Sequence, residues 1–156
     1  MKKIIITGGS GFIGTNLIEY YASQGFQISN LDIAAPQNPK HKDYWNKIDI
    51  LDHGLLQKKI LDFQPNYLIN LAARTDLDGK SIEDYEVNYQ GVSNLIDILN
   101  KCNSVERVIF ASTMLVCKLG YKPKNVDDFN PNTLYGKSKV KAEEIIKNSD
   151  NMKFDF

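Results

Sequence analysis

The sequence predicts an α/β fold, a doubly wound parallel sheet with helices on its faces. Two patterns carry that expectation. Short apolar runs alternate with longer amphipathic segments along the chain, as in successive βαβ units. A glycine cluster at 8–14 joins the first apolar run to the first amphipathic segment. The chain has 156 residues, 42% hydrophobic and 24% charged, enough for one domain with its own core.

The elements follow in order. Residues 4–7 read as a buried strand, and 12–24 as a helix closed by Gly25. A second strand covers 27–32. Residues 33–46 read as loop, because Pro36 and Pro39 exclude a regular helix. A short third strand is expected at 47–50, then a helix over 51–63 that stops before Pro65. Residues 67–71 form the fourth strand. Ser81 is the expected cap of a long helix reaching Cys102, with Val87, Leu95, Ile98 and Leu99 among its core positions. The fifth strand lies within 105–111. Residues 112–133 form a long loop of the kind that is usually functional, and 134–148 a lysine-rich helix. Residues 152–156 read as the opening of a sixth strand. There is no internal repeat and no low-complexity segment.

Composition narrows the function classes. Lysine plus arginine (19) balances aspartate plus glutamate (19), so net charge makes no case for nucleic acid or an anionic membrane as partner. No stretch is apolar enough to span a bilayer. The run Ile4-Ile5-Ile6 is too short for a secretory leader, and a cytoplasmic protein is expected. Cys102 and Cys117 make neither a disulfide framework nor a metal quartet, and Cys117 reads as loop or core packing. His41 and His53 are not in metal-ligand spacing, so no metal site is expected.

The stretch Thr7-Gly8-Gly9-Ser10-Gly11-Phe12-Ile13-Gly14 sits between a predicted strand and a predicted helix. Glycine there permits a tight turn and a close backbone approach to a pyrophosphate. The helix N-terminus then offers free N–H groups and a positive dipole end. Asp32, at the end of the second strand, can accept hydrogen bonds from the adenosine ribose hydroxyls. It would repel the extra phosphate of NADP, and Ile33-Ala34-Ala35 supplies no arginine to hold that phosphate, so NAD is the expected cofactor. A second reading of Asp32 is a strand-end carboxylate that only makes a turn.

Tyr135-Gly136-Lys137-Ser138-Lys139 contains Tyr-x-x-x-Lys. Residues four apart share a helix face, and an ammonium beside a phenol favours the phenolate. With eight tyrosines and abundant lysine, spacing alone carries little. The position of the pair, opening the helix after strand five, carries more.

Together, Gly8-x-x-Gly11-x-x-Gly14 and Leu134-Tyr135-Gly136-Lys137-Ser138-Lys139, with Glu143 four residues on, resemble the extended short-chain dehydrogenase/reductase family, the NAD-dependent nucleotide-sugar epimerases and dehydratases. The resemblance runs from Lys3 to about Lys147. It implies a Rossmann-like sheet binding NAD through Gly8, Gly11, Phe12, Ile13, Gly14 and Asp32. Asp49 and Ile50 would lie near the adenine, and Leu71, Ala72 and Ala73 would line the cofactor. Asn88 takes the place of a structural asparagine, while Tyr135 and Lys139 also touch the cofactor. Thr113 takes the place of the catalytic Ser/Thr beside Tyr135 and Lys139. The implied substrate is a nucleotide sugar, and the implied assembly is a homodimer built on the helices around 81–102 and 134–148.

Three departures shape the expectation. Met114 and Leu115 stand where the sugar 4,6-dehydratases carry an acidic pair, which disfavours that elimination chemistry. Arg74 reads equally as a diphosphate contact or as part of a solvated loop of mixed charge. Family members are about twice as long, so residues 1–156 are expected to form an NAD-binding domain that stops before the substrate domain. The competing readings are a non-catalytic NAD-binding module or truncated inactive product, and an NAD(P)H-dependent reductase of a non-sugar carbonyl.

Overall fold

The computed structural model describes residues 1–149 and 152–156. Strands β1 (Lys3–Thr7), β2 (Gln27–Asp32), β3 (Trp45–Lys47), β4 (Tyr67–Asn70) and β5 (Arg107–Phe110) form one parallel sheet in the order β3-β2-β1-β4-β5. Strand order reverses between β1 and β4, and in open α/β sheets such a switch point opens a crevice at the carboxyl ends of the strands. Helices α1 (Phe12–Ser23), α2 (His53–Phe63), α3 (Glu86–Leu99) and α4 (Leu134–Lys147) connect the strands.

Side chains alternate across a strand, so a strand covered on both faces must be apolar throughout. In β1, Ile5 joins Leu31, Leu68 and Val108 under α2 and α3, where Leu56, Ile60, Leu95, Ile98 and Leu99 cover them. Ile4 and Ile6 point the other way and join Ile28 and Ile69 against Ile18 of α1. On that second face Ile109 of β5, in register with Ile69, stays 51% exposed. A third cluster, Val92 and Ile96 with Ala142, packs α3 on α4.

Several boundaries differ from expectation, each for a local reason. The third strand covers Trp45–Lys47 rather than 47–50. The Trp45 indole N–H donates to the Asp32 carbonyl at 2.9 Å, and Asn46 Nδ2 donates to Ser29 Oγ at 3.1 Å, which pins this register. The apolar Ile48 and Ile50 therefore leave the sheet. Ile50 is buried over Gly91 of α3, and Asn94 Nδ2 donates to its carbonyl at 3.0 Å in place of a strand partner. Helix α2 starts two residues later than expected because Asp52 caps it, accepting from the Leu55 N–H at 3.0 Å. Residues Pro39–Tyr44, expected as loop, form a 3-10 turn. Asn38 caps it, and Pro39 sits at the first position, where proline lacks no needed N–H.

Ser81 does not cap α3. A separate turn at Glu83–Tyr85 precedes the helix, and the Asp84 carboxylate accepts from the backbone N–H groups of Lys80 and Ser81. The loop 112–133 is partly ordered by a turn at Met114–Val116 and by a parallel bridge between Cys117 and Asn130. Helix α1 ends at Ser23, with Gly25 taking φ +74° as a chain-reversing glycine should. The expected sixth strand amounts to one parallel bridge. Asp155 lies beside Arg107, its carbonyl accepting from the Val108 N–H at 2.8 Å.

A methyl group at Gly91 would come within 2.3 Å of Ile50 Cδ1. Gly91→Ala should therefore cost about 1–3 kcal/mol through overpacking, measured by urea unfolding. A loss under about 0.5 kcal/mol would mean that Ile50 repacks freely.

Candidate cofactor cleft and reacting residues

At the switch point lies a cleft of about 1030 Å3. Its floor is the glycine loop. Gly8 has φ +66°, and a Cβ there would lie 2.7 Å from the Ala72 backbone nitrogen, so only glycine lets this turn pass the end of β4. Gly14 lies so close to Gly9 that a Cβ would come within 2.4 Å of the Gly9 Cα. Gly11 differs: the nearest atom to its Cβ position is the Gly8 carbonyl at 3.4 Å. Packing within the chain does not demand glycine at 11. A ligand brought against the backbone would.

Gly11 is also the N-cap of α1. No side chain caps that end, and the first turn carries no acidic residue. The free N–H groups and positive dipole end are therefore left to the cleft, a setting that suits phosphate oxygens. An uncapped helix start beside an unfilled Gly11 fits the diphosphate of a dinucleotide.

The cleft collects most of the sequence-predicted contacts. Gly8, Gly11, Phe12, Ile13 and Gly14 line it from the loop, Asp32 from β2, and Asp49 and Ile50 from the segment after β3. Leu71, Ala72 and Ala73 line it from the end of β4. Asp32 makes the expected turn and also faces the cleft. Its Oδ1 accepts from the Ala34 N–H at 2.9 Å, making the turn, and its Oδ2 accepts from the Ser10 N–H at 3.0 Å, tying the glycine loop to β2. A carboxylate has further lone pairs for ribose hydroxyls.

Ser10 escaped the sequence reading. Besides that N–H bond, its hydroxyl donates to the Ala34 carbonyl at 2.8 Å and accepts from buried Asn30 Nδ2 at 3.1 Å. The only local signal was a small polar residue between two glycines. Ile33, Ala34 and Val87 also line the cleft without having been singled out as contacts.

Asn88 does not line the cleft but stands behind it, fully buried. Its Oδ1 accepts from the Arg74 N–H at 2.8 Å. Its Nδ2 donates to the Arg74 carbonyl at 2.9 Å and to Ser138 Oγ at 2.8 Å. One amide thus joins the loop after β4 to α3 and α4. The Arg74 guanidinium is bound to Asp76 by two bonds, at 2.8 and 3.0 Å, and to the Asp84 carbonyl at 3.1 Å. It also stacks 5.0 Å from the Tyr85 ring centroid. Arg74 lines the cleft while its guanidinium is held by these partners.

Thr113, Tyr135 and Lys139 lie outside the cleft lining, at the head of β5 and the start of α4. Thr133 caps α4 by accepting from the Gly136 N–H at 2.9 Å. Gly136 allows the close approach of α4 to the turn after β5, since a Cβ there would lie 2.2 Å from the Leu115 carbonyl oxygen. Thr113 Oγ1 accepts from the Leu115 N–H at 3.2 Å, which leaves its own proton for another acceptor. Lys139 is buried, and its Nζ donates to the Ala111 carbonyl at 2.6 Å. Burial pulls its ammonium below the ordinary lysine value, while the charge of Glu143 works in the opposite direction. Tyr135 is half-buried, its ring centroid 6.4 Å from that of Tyr85. Cys117, by contrast, is half-buried in the loop, its thiol directed to the Asp128 carbonyl at 3.6 Å.

Similar proteins fit this geometry. The chain is 32% identical, over 93% of its length and 43% of the relative's, to an N-acetyl-alpha-D-glucosaminyl-diphospho-ditrans,octacis-undecaprenol 4-epimerase of Escherichia coli O157:H7. It is 30% identical, over 94% of its length and 47% of the relative's, to a dTDP-4-dehydrorhamnose reductase of Aggregatibacter actinomycetemcomitans. Among solved structures it superposes on the Bordetella bronchiseptica enzyme WbmG in complex with NAD and UDP. That match has a TM-score of 0.78 and 29% identity, covering 94% of this chain and 50% of WbmG. The chain spans about half the length of the relatives it matches. The model of the NAD dependent epimerase/dehydratase family, whose cofactor is NAD, matches residues 4–156, and the chain belongs to that family.

Proposed function

We propose that residues 1–156 form the NAD-binding part of an epimerase or related oxidoreductase acting on a nucleotide sugar, with Tyr135, Lys139 and Thr113 as its reacting groups. The observation that carries the reading is the glycine cradle. Gly11 is free of packing demands at the uncapped N-terminus of α1, inside a cleft that also holds Asp32. The WbmG likeness, in a complex with NAD and UDP, supports the choice of ligands.

In this reading, the N–H groups at the start of α1 bind the diphosphate and Asp32 takes the adenosine ribose. Bound NAD supplies reversible hydride acceptance. Tyr135 holds and moves the proton of the reacting sugar hydroxyl at its phenolic oxygen. Lys139 favours the phenolate form through its ammonium, with one proton on the Ala111 carbonyl and two left for Tyr135 and a ribose hydroxyl. Thr113 donates its hydroxyl proton to the reacting oxygen. Met114 and Leu115, next to it, carry no group able to drive water elimination, so the reading is epimerisation or carbonyl reduction rather than dehydration. The similarity to a dTDP-4-dehydrorhamnose reductase keeps reduction of a keto sugar as the second reading. The outer faces of α3 and α4 are the proposed homodimer contact.

Three outcomes test this. NAD should raise the melting temperature of the chain more than NADP, and Asp32→Ala should narrow that difference. A larger shift with NADP would reject the role of Asp32. Gly11→Ala should fold with little loss of stability yet bind NAD at least about tenfold more weakly by calorimetry, since a methyl there occupies ligand space. Unchanged affinity would remove Gly11 from the site. In the whole enzyme of which residues 1–156 are the NAD-binding part, Tyr135→Phe should lower turnover of nucleotide sugars by about 10²- to 10⁴-fold while NAD affinity stays within about twofold. Retained turnover would take Tyr135 out of the chemistry.

A further inference from the structure

Lys139 and Thr113 come from different elements, and their mutual placement needs something to hold the head of β5 against α4. The structure provides a link one turn beyond Lys139. The Ser112 hydroxyl, adjacent to Thr113 in the chain, donates to Glu143 Oε1 across the two elements. Glu143 lies four residues after Lys139, on the same face of α4. The Lys139 ammonium is anchored on the other neighbour of Ser112, the Ala111 carbonyl. Residues 111–113 and α4 are thus cross-linked twice, once through each charged side chain.

We propose that Glu143 is a positioning residue for this centre. Through the Ser112 hydroxyl it holds the end of β5, and its negative charge steadies the buried Lys139 ammonium. The inference rests on reading Tyr135, Lys139 and Thr113 as the reacting groups. The physical need is plain: burial disfavours an ammonium, and a carboxylate one helical turn away offsets part of that cost. Glu143 is the carboxylate whose charge opposes the effect of burial on Lys139. The Tyr135 phenol, on the same helix, packs against the Tyr85 ring.

The test reads Lys139 directly, without cofactor or substrate. The 156-residue chain is acylated with trace acetic anhydride across pH 7–10, and modification of Lys139 is followed by peptide mass spectrometry against exposed Lys118. Glu143→Gln retains an acceptor for Ser112 but removes the charge. It should make Lys139 about two- to fivefold more reactive at pH 8, because more of it is free amine. Glu143→Ala, a substitution that favours the helix, should do the same. Unchanged Lys139 reactivity in both variants would overturn the proposal. Loss of folding in both would overturn it too, by making Glu143 a residue of the fold. Because labelling involves no turnover, its outcome is separate from the Tyr135→Phe assay, which decides whether these groups carry the reaction.

Discussion

The structure depends on one close approach, that of the glycine loop to the end of β4. Gly8 passes the Ala72 backbone at a distance no side chain would permit, and Gly14 rests against Gly9. These contacts bring the N-terminus of α1 down onto the carboxyl edge of the sheet. Thr7, at the end of β1, reinforces the junction from within the sheet. Its hydroxyl donates to Asn70 Oδ1 at 2.5 Å and accepts from the Ala72 N–H at 3.3 Å. A dipole end that would face solvent in an ordinary helix is thereby aimed into the crevice at the switch point. The cleft follows from that packing, and the Ser10–Asp32 bond ties the loop to the end of β2.

A second junction sets the far side of the molecule. Asn88 bonds to both backbone groups of Arg74 and to Ser138, whose own hydroxyl donates to the Tyr135 carbonyl at 2.7 Å. The loop after β4, which borders the cofactor cleft, is therefore connected by buried hydrogen bonds to the first turn of α4. Such bonds cost more to leave unmade than to form, so this polar chain resists sliding of α4 along α3. Gly136 lets the helix sit against the Leu115 carbonyl. The head of β5 and the start of α4 are brought together by backbone proximity, with side-chain bonds fixing the alignment.

Much of the fold was legible because its signals are local. Triple isoleucine before a glycine cluster, amphipathic spacing in the helices, and Pro65 after α2 each reflect a constraint acting within a few residues. The structure departs from local pattern where distant partners overrule it. Ile48 and Ile50 look like a strand, yet Trp45 and Asn46 claim the pairing with β2, and Ile50 finds a deeper burial over Gly91. Ser81 looks like a cap, but Asp84 takes the nearby N–H groups and delays the helix. In the candidate site, the glycines and Asp32 were readable from motif spacing, and the β4 end from the family resemblance. Ser10 and Gly136 were not, because their roles exist only when another element lies against them.

By itself the sequence determined the alternation of strands and helices, the phosphate-suited loop at 8–14, the acidic end of β2 and the family to which the chain belongs. These reside in residue types at short fixed spacings, and short spacings constrain local geometry directly. Tertiary structure alone decided which glycines of the loop are demanded by packing and which are not, that Arg74 is bound to Asp76, and that Asn88 braces the cleft from behind. It also decided that Glu143 reaches Ser112. Each of these depends on distances between elements far apart in the chain, and such distances are set by how two covered sheet faces and their helices fill space together.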